Sequence, residues 1–183
     1  IHGDETCGIV ALSKTVQQFE SGALLLQKGS VTIVPMCNPK AYEGNVRFVD
    51  RNLNRYMSPI TNTNIYEDDL TNALCPLLED VDVLLDIHSY HVGGAPFIFV
   101  EGPDGEEVPY AKSLGIDHLV YGFQNSYANA DGALSEEALK KGMGTTEYIR
   151  QFGGYGITLE CGQHLDPKSI DVGEYAILKT LQS

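Results

Sequence analysis

Apolar residues recur along this chain in two rhythms, one of helical spacing and one of short continuous runs. Their alternation sets the expected fold. Ile9, Val10, Leu12, Val16 and Phe19 place one apolar face on a helix over 6–20, directly after Glu5. Residues 31–35 are short, β-branched and apolar, which predicts a strand buried on both sides and ended by Pro35. Residues 37–63 are polar, with repeated Asn, Pro, Gly and Arg, and predict a long irregular excursion of the kind that carries function. A helix over 68–78 leads into a second buried strand over 81–87, ending at His88. The bend at 93–96 leads to a third strand over 97–100, and a helix over 108–114 tolerates Pro109 only in its first turn. A strand near 118–123, a Gly, Asn and Ala-rich loop to about 132, and a helix start over 135–141 with Ser135 as N-cap follow. A strand over 156–159 running into Glu160 and a helix over 167–181 close the chain. Strands alternating with helices predict an α/β domain with a largely parallel sheet. No repeat, low-complexity tract or linker divides it, so residues 1–183 read as a single domain.

Composition narrows the partners. The chain has 183 residues, 43% hydrophobic and 20% charged, enough for one well-buried core. With 12 Lys and Arg against 25 Asp and Glu, the formal charge of −13 disfavours phosphate backbones and anionic membranes, so neither nucleic acid nor membrane is expected as a partner. A small anionic substrate stays compatible, because clustered arginines outweigh a diffuse field at short range. Cys7, Cys37, Cys75 and Cys161 are widely spaced, form no CxxC pair and read as reduced structural thiols, which suits the cytoplasm. No apolar run reaches the roughly eighteen residues of a membrane span, and no basic segment precedes an apolar one at the start. The chain opens at Ile1 without an initiator Met, so a segment upstream is expected.

Candidate chemistry concentrates at four places. His2 and Glu5, three positions apart where a strand turns into a helix, can converge on one metal ion, with Gly3 giving the bend its freedom. Taken alone they also fit a solvated turn with a helix-capping acid. His88 ends a buried strand, where ligands gather in open α/β sheets, and reads either as a core histidine or as a third ligand. Three protein ligands with a fourth position open to water form the catalytic zinc pattern. Asp86, on the same strand face as His88, reads either as a strand-end acid or as the group that orients the ring. His91 is a rival ligand in the following loop. Glu160 is costly to bury unless paired, and beside a metal-bound water it would serve as general base. Three of the four arginines, Arg47, Arg51 and Arg55, lie within nine residues beside Asn52 and Asn54, a cluster suited to clamping a carboxylate. Arg150, the fourth, precedes Glu160 by ten residues.

Together, His2-Gly3-Asp4-Glu5, Asp50-Arg51-Asn52-Leu53-Asn54-Arg55, Asp86-Ile87-His88-Ser89 and Thr158-Leu159-Glu160 resemble the succinylglutamate desuccinylase and aspartoacylase family, within the zinc carboxypeptidase-like fold group. The likeness runs in order from residue 2 to about 162. It implies a three-layer α/β/α fold with a mostly parallel mixed sheet. It also implies one zinc ion held by His2, Glu5 and His88, and Glu160 as general base. Arg47 matches the arginine that polarises the scissile carbonyl, Asn54 and Arg55 match the pair that holds the substrate carboxylate, and Arg150 matches a further substrate-binding arginine. Arg51 and Tyr56 receive no family role. The strand that should precede the His-Gly turn is missing, and only 23 residues follow Glu160, where many members carry a second, β-rich domain. The expectation is a zinc-dependent hydrolase cleaving the linear amide of a small, carboxylate-bearing N-acyl amino acid. The alternatives are a metallocarboxypeptidase acting on peptides and a non-catalytic zinc-containing binding protein.

Overall fold

The computed structural model describes residues 1–123 and 141–182. The expected loop to about 132 and the helix start at Ser135 therefore lie outside the described residues. In chain order the elements are α1 (Thr6–Glu20), α2 (Pro39–Glu43), α3 (Tyr66–Glu79), β1 (Val83–Tyr90), β2 (Phe97–Phe99), α4 (Val108–Ser113), β3 (Leu119–Val120), α5 (Thr145–Arg150), β4 (Tyr155–Gln163) and α6 (Lys168–Gln182). The strands form one sheet in the order β1-β4-β2-β3. β1 runs parallel to β4 and β2 parallel to β3, while β2 meets β4 antiparallel. The sheet is thus mixed.

Side chains alternate across a strand, so each strand contributes one set of residues to each face. Leu85 and Ile87 of β1, Tyr155, Ile157, Leu159 and Cys161 of β4, and Ile98 of β2 share one apolar cluster. Cys7 and Ala11 of α1 and Ala176 and Ile177 of α6 complete it. Small residues let these helices come close: a Cβ on Gly173 would lie 3.3 Å from that of Ala11, and one on Gly8 would lie 3.1 Å from Ile87. Leu84, on the opposite face of β1, packs with Met57, Cys75, Leu78 and Tyr148, the last three from α3 and α5. Helices therefore cover both faces in three layers. The even-numbered residues of β1 and β4 that follow Leu84 carry the site.

Several expectations change. Residues 31–35 form no strand, and Val31 is 43% exposed. Their composition reports a preference for burial, but a strand also needs a hydrogen-bonded neighbour, and among the described residues β1 pairs only with β4. His88 and Glu160 lie within β1 and β4 rather than beyond their ends, because parallel pairing extends through both residues. The strand near 118–123 is reduced to two residues, and the excursion over 37–63 contains the short helix α2, capped by Asn38 Oδ1 accepting from Ala41 N at 3.1 Å. The four cysteines are free thiols, with Cys7, Cys75 and Cys161 buried. Among the described residues no helix is long and apolar enough to cross a membrane.

Candidate active site

Parallel register brings the candidate site together. Asp86, His88, Thr158 and Glu160 occupy even positions of β1 and β4, with Asp86 opposite Thr158 and His88 opposite Glu160. The turn carrying His2 and Glu5 sits beside them, ahead of α1. Its tightness has a different cause from the one expected. Gly3 does not need a left-handed backbone; a Cβ there would lie 2.1 Å from the carbonyl carbon of Ala41. Glycine is required by close approach to α2, and Gly3 N donates to Arg47 O at 3.3 Å across the same contact.

His2, Glu5 and His88 are 3%, 3% and 2% exposed, and their ligand atoms all lie within 4.8 Å of one another. Glu5 Oε1 is 2.8 Å from His2 Nδ1, and Oε2 is 2.8 Å from His88 Nδ1. The proton on His2 can be assigned from its other side. Asn52 Oδ1 accepts from Asn54 N at 2.9 Å and stands 2.9 Å from His2 Nε2, so Nε2 carries the hydrogen and Nδ1 presents its lone pair. Burial holds the His2 imidazole below its ordinary pKa, which favours that neutral form. A lone pair 2.8 Å from a carboxylate oxygen calls for a shared positive charge between them, from a proton or a metal. Two imidazoles and a carboxylate form the donor set of a three-ligand zinc site, so these residues fit the ion.

The surroundings prepare the same point for a cation. Burial disfavours the charged His88, but the carboxylates of Asp86 and Glu5 outweigh it and push the imidazole up to about 10. Burial likewise opposes ionised Glu5, and the charge of His88 overcomes it, holding the carboxyl well below the usual range. Asp86 Oδ2 lies 3.1 Å from His88 Nε2 as a charge contact without hydrogen-bond geometry, and accepts from Thr145 Oγ1 at 2.6 Å. Arg47 Nη1 donates to Glu5 Oε1 at 2.5 Å.

These groups open onto a cavity of about 290 Å³ lined by His2, Arg47, Asn54, Arg55, His88, Arg150 and Glu160, among others. Glu160 lines it and has one buried oxygen, Oε2, with no hydrogen-bond partner among the described residues, and burial pushes its carboxyl up to about 7. Asn54 Oδ1 accepts from Thr145 N at 3.0 Å, tying the arginine loop to α5. Arg55 lies over the Phe123 ring, 5.6 Å from its centre. Arg150 lines the cavity while standing 3.4 Å from the fully buried Glu107 and 3.6 Å from Glu101. The cavity thus gathers every residue expected of the site except Glu5, which stands behind His2 and His88. Arg51 is engaged elsewhere, bonding Asp68 and Thr71 of α3 at 3.1 and 3.2 Å. His91 is 76% exposed and stays outside the triad.

Of three positioning residues, Thr145 and Glu67 have no role in the sequence analysis, and Asn52 was expected only as part of the carboxylate-clamping cluster. Asn52 sets the His2 tautomer, and Thr145 holds Asp86. Glu67, fully buried, accepts from Val49, Asp50 and Arg51 backbone N–H groups and from Asn38 Nδ2, at 2.7, 3.0, 3.2 and 3.0 Å. An acid in the first turn of α3 normally reads as complementing the helix dipole. The asparagine next to the arginines was a visible signal for Asn52; nothing local signals Thr145.

Over residues 1–183 the chain matches the family model described as the succinylglutamate desuccinylase/aspartoacylase catalytic domain. It is 36% identical over 98 residues to a protein named Probable aspartoacylase from Nostoc sp., a match covering 48% of this chain and 32% of that one. A protein of the same name from Prochlorococcus marinus is 30% identical over 93 residues, covering 48% and 30%. Among solved structures, a succinylglutamate desuccinylase/aspartoacylase from Rhodobacter sphaeroides superposes with a TM-score of 0.75 at 18% identity, over 99% of this chain and 52% of that one. The product-bound ectoine utilization protein EutE (DoeB) from Ruegeria pomeroyi gives 0.71 at 20% identity, over 98% and 53%. The matched region spans about a third of the curated relatives, and the chain about half of these solved structures. The match along the whole chain means that it belongs to the succinylglutamate desuccinylase/aspartoacylase family.

Proposed function

We propose that this chain is a single catalytic domain of a zinc-dependent hydrolase that cleaves the linear amide bond of an N-acyl amino acid. One observation carries the reading. Glu160 lines the cavity shared with His2 and His88, stands opposite His88 in strand register, and keeps one buried oxygen, Oε2, without a hydrogen-bond partner among the described residues. A buried carboxylate without a partner is costly to keep unless it serves the chemistry beside it. The names of the relatives, aspartoacylase and desuccinylase, support an N-acyl amino acid as substrate.

His2, Glu5 and His88 would hold the zinc, with Asn52 orienting the His2 ring and Asp86 placing its charge beside His88. Bound there, zinc supplies Lewis-acid polarisation of a carbonyl and lowers the pKa of water to about 7. Glu160 takes the proton of the attacking water on its carboxylate and returns it to the nitrogen of the leaving amine. Arg47, 41% exposed at its side chain and beside Glu5, donates to the carbonyl oxygen as negative charge develops there. Asn54 and Arg55 hold the substrate carboxylate, and Arg150 adds positive charge to the far wall.

Metal-loaded protein assayed on N-acetyl, N-succinyl and N-formyl amino acids beside short peptides tests this. Amine release from one N-acyl amino acid class is expected. Release from peptides alone would make the carboxypeptidase reading correct, and binding without turnover would leave a recognition module.

A further inference from the structure

Each stretch that serves the first site also sends one residue to a second cluster beside it. Asp4 precedes Glu5, His91 follows His88 by three positions, and His164 follows Glu160 by four. Their ligand atoms all lie within 4.8 Å of one another. None of the three lines the cavity of the first site. The backbone that presents them is pinned: His164 N donates to Tyr90 O at 2.9 Å, and Gln163 Nε2 donates to His91 O at 3.3 Å.

Two buried polar atoms in this cluster have no hydrogen-bond partner among the described residues, Asp4 Oδ1 and His164 Nε2. Ser89 Oγ lies 2.8 Å from His164 Nδ1 and holds the ring through that nitrogen. A ring held through one nitrogen so that the other is presented is how metal-ligating histidines are set. The His91 ring meets His164 edge-on, with centroids 4.3 Å apart, and its Nε2 stands 3.7 Å from Asp4 Oδ2. A single cation would satisfy both orphan atoms at once. Two imidazoles with one carboxylate suit zinc, cobalt or nickel rather than magnesium or calcium.

We propose that Asp4, His91 and His164 form a second site for a divalent transition-metal ion, separate from the one formed by His2, Glu5 and His88. It binds more weakly and exchanges more readily than the first. His91 is 76% exposed and gives up side-chain freedom on binding.

Metal-stripped protein titrated with Co²⁺, followed by visible absorbance and calorimetry, tests the site. Wild type should take up two equivalents, and His91→Ala and His164→Gln one each. Ser89→Ala should keep both while weakening the second by about 10–100-fold. Since His91 is exposed, its removal leaves the fold unchallenged. If wild type takes one equivalent and His91→Ala takes none, the second site stands and the assignment of the first fails. If wild type and His91→Ala both take one, or both take two, the second site is overturned.

Discussion

Glu160 stands directly opposite His88 in the parallel register of β1 and β4. Opposed residues of paired strands point to the same face, so strand pairing alone brings a carboxylate beside a metal-ligand candidate. The same face carries Asp86 opposite Thr158, while the intervening Ile87 and Leu159 turn into the apolar cluster under α1 and α6. A one-residue slip in register would exchange the two faces.

Removing Asn52 should weaken metal binding without touching a ligand. Its Oδ1 fixes the His2 hydrogen on Nε2, so Asn52→Ala frees the ring to change tautomer. Affinity measured by chelator competition should fall by about 10–100-fold with the fold retained. Unchanged affinity would remove Asn52 from the positioning of His2.

Gly3→Ala should be destabilising out of proportion to one methyl group. The added Cβ would lie 2.1 Å from Ala41 C and 2.3 Å from Tyr42 N, backbone atoms that cannot step aside. Overpacking of this kind costs about 1–3 kcal/mol, read as a Tm lower by roughly 2–12 °C. Metal affinity should fall with it, because the His2 turn must shift. A variant with wild-type Tm and metal affinity would contradict the close approach.

Glu67→Gln should loosen the arginine loop. It sets a donor among the Val49, Asp50, Arg51 and Asn38 donors that now share two acceptor oxygens, at a cost of about 1–3 kcal/mol. Lower Tm together with a raised KM for the hydrolysed substrate is expected. Loss of stability with KM unchanged would confine Glu67 to the fold.

Alkaline pH should destabilise the protein through Tyr110. Burial pushes this phenol up to about 12, while it donates to or accepts from Thr180 Oγ1 at 2.8 Å. The unfolded chain ionises near its ordinary value of about 10. Between these values the folded state retains a proton that the unfolded state has lost, so stability is full below about pH 10 and falls as pH rises toward about 12. The loss is on the order of 2–3 kcal/mol. Chemical denaturation from pH 9 to about 11.5 should show it, and Tyr110→Phe should flatten the decline.

What the sequence made legible followed from short-range periodicity. The apolar spacing of Ile9, Leu12 and Val16 locates α1, and the run before His88 locates β1. The motif residues are found together because strand ends and a helix start are local events. Val31, Ile33 and Val34 misled for the converse reason: their apolar character has no record of whether a partner strand lies alongside. Asn52 reaching His2, Thr145 reaching Asp86 and Glu67 gathering the 49–51 backbone are contacts across the fold, and no local pattern encodes them. Gly3 was read as a flexible hinge, whereas the constraint is the backbone of Ala41 pressed against it.

The central claim is that a metal at His2, Glu5 and His88 works with Glu160 as the base. Glu160→Gln keeps the shape of the side chain and removes its ability to take a proton. Metal content and turnover should be measured on the same preparation, with the substrate found in the acyl-amino-acid screen. The account predicts metal content equal to wild type and kcat lower by about 10²–10⁴-fold. Wild-type turnover by metal-loaded Glu160→Gln would contradict it.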